Sequence, residues 1–100
     1  MAGQMAGGVA VATRIKVPRA PRFNVVMYND DVTTFEFVIR VLMQVFDKDD
    51  ATAQSLAFKI DQEGSAIIGS YSRELAETYV EETTERARSE GFPLVCEIQE

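Results

Sequence analysis

The sequence contains no histidine anywhere in its 100 residues. That absence removes Ser-His and Cys-His nucleophilic catalysis, the commonest general base, and every histidine-containing metal site. Cysteine occurs once, so no disulfide forms within the chain. Cys96 alternates with Leu94 and Ile98 in a short apolar run, and reads as a buried strand residue rather than a nucleophile. No apolar run is long enough to span a bilayer, and no secretory core stands near the start. A reducing cytosol is the expected compartment, with neither membrane nor cofactor involved.

Acids outnumber bases, but unevenly. Residues 1 to 28 hold Arg14, Lys16, Arg19 and Arg22 and no acid, so they carry +4 and leave −10 on residues 29 to 100. An acidic body repels phosphate backbones, which disfavours nucleic acid as a partner. Residues 1 to 21, rich in Gly and Ala with Pro18 and Pro21, bury too little to offset ordering entropy and read as a flexible arm. A short organelle transit peptide is the competing reading of the same basic, acid-poor stretch. The chain as a whole is 46% hydrophobic, and positions 22 to 100 suit one compact domain with a modest core.

From Arg22 to Tyr28 apolar and other residues alternate, which predicts a strand with one face in the core. Thr33-Thr34-Phe35-Glu36 reads as a capping box, with Glu36 reaching back to the cap. The helix that follows has an apolar stripe at Phe35, Val38, Ile39, Leu42 and Phe46, widened by Phe37, Val41 and Val45. It is expected to be central and covered on more than one side. Asp47-Lys48-Asp49-Asp50 forms a polar loop ending in an N-cap, and Ala53, Leu56, Ala57 and Ile60 mark a second helix that runs to Gly64. A short strand over 66 to 71 follows. Ser72 caps a third helix with core residues Ala76, Val80, Thr83 and Ala87, ended by Gly91 before Pro93. Residues 94 to 98 supply the last strand. The order β-α-α-β-α-β predicts an α+β sandwich, a three-stranded antiparallel sheet with three helices layered on one face.

Asn29, Asp30 and Asp31 stand together between the first strand and the first helix. An amide carbonyl beside two carboxylates gathers acceptors and negative charge, and the helix beyond is apolar. The guest that suits both is a cation rich in donor protons with a greasy neighbour.

The run Asn29-Asp30-Asp31-x-Thr33-x-x-Glu36-Phe37-Val38-x-x-Val41-Leu42, then Phe46, Ala53, Leu56, Gly64-x-Ala66-x-x-Gly69, Glu74-x-Ala76-Glu77 and Pro93-Leu94 resembles the ClpS adaptor family over residues 22 to 98. The resemblance implies a non-enzymatic N-degron adaptor. Such a protein grips a substrate by a free, bulky hydrophobic N-terminal residue (Phe, Tyr, Trp or Leu) and hands it to the N-terminal domain of a Clp unfoldase of the ClpA or ClpC type. It further implies that Asn29, Asp30 and Asp61 hold the α-amino group. Asp31, Thr33, Phe35, Val38, Ala57, Ile60 and Leu94 would form the hydrophobic pocket, and Glu74 and Tyr79 would face the unfoldase.

Three positions depart from the family pattern. Asp61 replaces the usual histidine, and its full charge has two opposed consequences. It strengthens the grip on an ammonium, and it raises the carboxylate pKa values of the empty site by like-charge repulsion. Phe35 stands in place of a gate methionine, and Tyr79 in place of a basic residue. Simpler roles exist for the same residues: Asn29-Asp30-Asp31 as a turn and cap, Asp61 and the stripe Glu74, Glu77, Glu81 and Glu85 as solvated surface, and Phe35, Val38, Ile60 and Leu94 as ordinary core. Two other functions also remain open. One is a divalent-cation site on Asp30, Asp31 and Asp61, although no EF-hand spacing is present. The other is an interaction module without N-terminus recognition, like the C-terminal domain of the ribosomal stalk protein, whose basic helix contrasts with the acidic one here.

Overall fold

The computed structural model describes residues 20–100, so the arm expected over 1 to 21 lies almost wholly outside the described residues. Strand β1 spans Phe23–Tyr28 and takes the centre of a three-stranded antiparallel sheet. On one side it pairs with β2 (Ser65–Tyr71), and on the other with β3 (Val95–Gln99). Val25 and Met27 are fully buried and join Ala66, Ile68 and Cys96 in the core cluster, but Val26 on the other face is buried as well, so burial does not alternate strictly along the strand. The register between β1 and β2 slips between Val25 and Val26, passing over Ile68 as a bulge. On the opposite sheet face Ile67 and Val95 are exposed, while Val26 is 4% exposed.

The three helices are α1 (Phe35–Gln44), α2 (Asp50–Glu63) and α3 (Arg73–Ser89), completing the order β-α-α-β-α-β. Helix α1 is capped by Thr34, whose hydroxyl oxygen accepts the Phe37 amide at 3.1 Å. The expected box between Thr33 and Glu36 is therefore not formed. Thr33 is turned back to Asp30 instead, and Glu36 sits one position too early to reach the cap. The helix also stops at Gln44, so Phe46 enters the core from the turn beyond.

Burial of α1 falls on Phe37, Val38, Val41 and Leu42, while Phe35 (44% exposed) and Met43 (38%) look outward with half-buried Ile39 between them. Contrary to expectation, α1 is covered on one broad side. Seven of its ten residues are apolar, so periodicity alone does not fix which face packs.

Asp49 caps α2, one residue before the cap expected from the loop, by accepting the Thr52 amide at 3.2 Å. Gly64 ends the helix in the left-handed region at φ 91°, a conformation that suits glycine. Ser72 caps α3 as predicted, with its oxygen 3.3 Å from the Leu75 amide. Phe46, Tyr71 and Tyr79 form an aromatic cluster with ring centroids 4.9 to 6.3 Å apart. Gly69 makes room for it, because a Cβ there would lie 2.6 Å from the Tyr71 ring carbon that bears the hydroxyl. Cys96 is buried, and burial followed by the nearby Glu97 charge pushes its thiol up to about 12, so the protonated form persists at neutral pH.

Candidate functional site

The chain leaving β1 turns at Asn29, and one main-chain bond sets where it goes. The Asn29 amide donates to the Gly64 carbonyl at 2.9 Å, drawing the β1–α1 loop against the end of α2. Asp61 occupies the last turn of that helix, so residues far apart in sequence share one side of a cleft of about 320 Å³. Asn29, Asp30, Asp31, Thr33 and Asp61 supply its polar lining. Phe35 and Val38 of α1 and Ala57 and Ile60 of α2 supply the apolar part. Ala57 and Ile60 fall on one face of α2 with Asp61 at its margin.

Within the cleft the carboxylates differ. Asp30 is committed to its own loop: Oδ1 accepts the Val32 amide at 2.8 Å and the Thr33 amide at 2.7 Å, and Oδ2 accepts the Thr33 hydroxyl at 2.7 Å. Burial favours the neutral form, but those bonds, led by Thr33, together with the charge of Arg88, hold the Asp30 carboxyl below its ordinary value of 3.8. The rise expected from like-charge repulsion is thus overturned at Asp30, where burial is the only raising influence and the local donors outweigh it. Asp61 is exposed and takes one bond, from the Gln62 side chain at 3.0 Å to Oδ2. Asn29 and Asp31 are exposed as well. Asp30 acts as the brace that shapes the loop, and the more accessible acceptors are Asn29, Asp31 and Asp61.

Of the twelve residues singled out in the sequence, nine line this cleft. Leu94 does not: it is 1% exposed and belongs to the core, while its carbonyl accepts Arg88 at 3.0 Å. Glu74 and Tyr79 lie on α3. Glu74 is exposed, whereas Tyr79 is half-buried against Phe46 and Tyr71, a placement that Tyr71's position one strand away does not announce in the sequence. Arg88 was not anticipated. It ties the segment after α3 through the Phe92 and Leu94 carbonyls and places positive charge near Asp30. Its only sequence signal is a base in the last helical turn before Gly91 and Pro93. Among the described residues no group of three or more His, Cys, Asp or Glu side chains is placed to hold a metal ion. Nor is any described helix long and apolar enough to cross a membrane.

Comparison with known proteins bears on both fold and cleft. The family model for "ATP-dependent Clp protease adaptor protein ClpS" matches residues 18–97. The chain is 40% identical over 92 residues to the ATP-dependent Clp protease adapter protein ClpS of Oleidesulfovibrio alaskensis, covering 92% of this chain and 86% of the relative. Its identity to the ClpS of Lawsonia intracellularis is 42% over 85 residues, covering 85% and 78%. The solved structure of Agrobacterium tumefaciens ClpS2 bound to L-phenylalaninamide matches with a TM-score of 0.78 at 33% identity, over 81% of this chain and 98% of that one. By class, then, the protein is an adaptor of ATP-dependent Clp proteolysis rather than a protease. More narrowly, the chain belongs to the ClpS family.

Proposed function

We propose that the cleft receives the free N-terminus of a substrate whose first side chain is bulky and apolar, and that the adaptor delivers that substrate to a Clp unfoldase. The observation that carries this reading is the meeting of Asn29 and Asp61 with Phe35, Val38, Ala57 and Ile60 in one cleft. An α-ammonium brings three donors to the acceptors, and Phe, Tyr, Trp or Leu fills the apolar part. The ClpS2 structure supports the reading, since phenylalaninamide joins a free amine to an aromatic side chain.

Magnitudes favour reversible binding. Charge-assisted hydrogen bonds contribute about 1.5 to 3 kcal/mol each, and burying the first side chain about 1.5 to 3 kcal/mol. Association costs about 4 kcal/mol or more. The surplus suits an adaptor that must release its cargo. Delivery is assigned to α3, where exposed Glu74 meets the N-terminal domain of a ClpA- or ClpC-type unfoldase in the cytoplasm. Tyr79, packed inward, fixes that helix rather than touching the partner.

The test is a titration with a peptide beginning in Phe and with its N-acetylated form. Binding of the free peptide alone is expected; equal binding by both removes the proposed mechanism.

A further inference from the structure

On the outer side of α1, Phe35, Ile39 and Met43 stand four residues apart and form one apolar line. Ile39 and Met43 floor an open groove of about 300 Å³, flanked by Glu36, Arg40 and Gln44. Two of the flanking groups are tied to the end of α3: Arg40 pairs with Glu90 at 2.8 Å, and Gln44 accepts Arg86 at 2.7 Å. They wall the groove without closing over it. Phe35 lines the cleft and stands one helical turn before Ile39 of the groove, so the apolar line runs from the edge of the cleft down the helix.

We infer that this line is a second subsite, which receives the substrate segment behind the first residue and takes apolar side chains at its third and fifth positions. The helix rises about 12 Å from Phe35 to Met43, and an extended peptide covers that with about four residues at roughly 3.3 Å each. In an extended chain the first, third and fifth side chains share one side. With the first in the cleft, the third and fifth turn toward Ile39 and Met43, while the second and fourth turn to solvent. Alternation of that kind belongs to strands with one buried face. The favoured substrates are thus fragments whose new beginning falls inside such a strand.

This inference rests on the reading of the cleft given above, and the experiment separates the two. Three labelled peptides with free amines are titrated against the full chain: Leu-Gly-Ser-Gly-Ser, Leu-Gly-Val-Gly-Val, and Leu-Val-Gly-Val-Gly. Valines at positions three and five are expected to tighten binding about tenfold over the plain peptide, and valines at two and four by less than about twofold. In Met43→Gln, a change at an exposed residue, the tenfold advantage falls to about threefold with the plain peptide unaffected. Equal binding of the first two peptides, or an advantage that survives Met43→Gln in full, overturns the second subsite. Failure of the plain peptide to bind, or equal binding of its N-acetylated form, overturns the cleft reading instead.

Discussion

The two ends of the molecule are held by different forces. At the cleft, exposed Asn29, Asp31 and Asp61 stand on a loop and a helix end fixed by polar bonds, chiefly those to Asp30 and the one from Asn29 to Gly64. At the far end Phe46, Tyr71 and Tyr79 pack ring on ring beside Gly69, with little polar help. The separation is partial, because Val38, Ala57 and Ile60 line the cleft and also belong to the core, so it is the exposed Asn29, Asp31, Phe35 and Asp61 that can change without loss of packing.

The largest contrast comes from Phe46→Ala, which empties the aromatic cluster. It is expected to cost about 3 to 5 kcal/mol of stability in urea denaturation, while the folded fraction binds a Phe-led peptide as before. Loss of intrinsic affinity in that variant would show that the two ends are coupled.

Next comes Asp30→Asn, aimed at the brace. Asparagine keeps Oδ1 for the two amides but loses the charge and the Oδ2 acceptor of the Thr33 hydroxyl, which costs roughly 1 kcal/mol and weakens peptide binding by loosening the loop. The pH dependence has a definite sign. Because the native Asp30 carboxyl titrates below its ordinary value of 3.8, its stabilisation is complete above that value and is lost as pH falls through the native pKa. The stability gap between wild type and variant should therefore narrow on acidification below about pH 4; a gap that widens contradicts the assignment.

Thr83→Val tests the packed region from the opposite direction. The Thr83 hydroxyl is fully buried without a hydrogen-bond partner, so replacing it by a methyl should raise stability by roughly 1 kcal/mol, read as a higher denaturation midpoint. A loss of stability would mean that the hydroxyl has a partner in solution.

Asp61→His gives the smallest effect. Peptide binding at neutral pH is retained, and its salt dependence becomes shallower as the carboxylate disappears. An unchanged salt slope would mean that Asp61 contributes no charge to the grip.

Much of this was legible in the sequence, for identifiable reasons. Strand β1 announced itself because Phe23, Val25 and Met27 recur at every second position in a run rich in β-formers, and α2 because Gly64 is the residue a left-handed cap favours. Nine cleft residues were named from pattern and resemblance. The cap of α1 slipped by one because Thr33 and Thr34 are equally good caps until Asp30 claims the first. The open side of α1 was invisible for want of contrast, since apolar residues occupy nearly every position and only packing against α2 and the sheet selects the buried set. Leu94 follows the same logic, being apolar in a cleft-like context yet turned into the core. The packing of Tyr79 on Phe46 and the nearness of Arg88 to Asp30 join residues distant along the chain, which no local spacing encodes.

The bond from the Asn29 amide to the Gly64 carbonyl joins backbone to backbone. It therefore sets the gauge of the jaws with atoms that ordinary side-chain replacement leaves in place. An alanine survey would register every tooth and miss the hinge pin. Proline at position 29, or an ester in place of that amide, would spring the jaws apart with every gripping side chain but the first still in place.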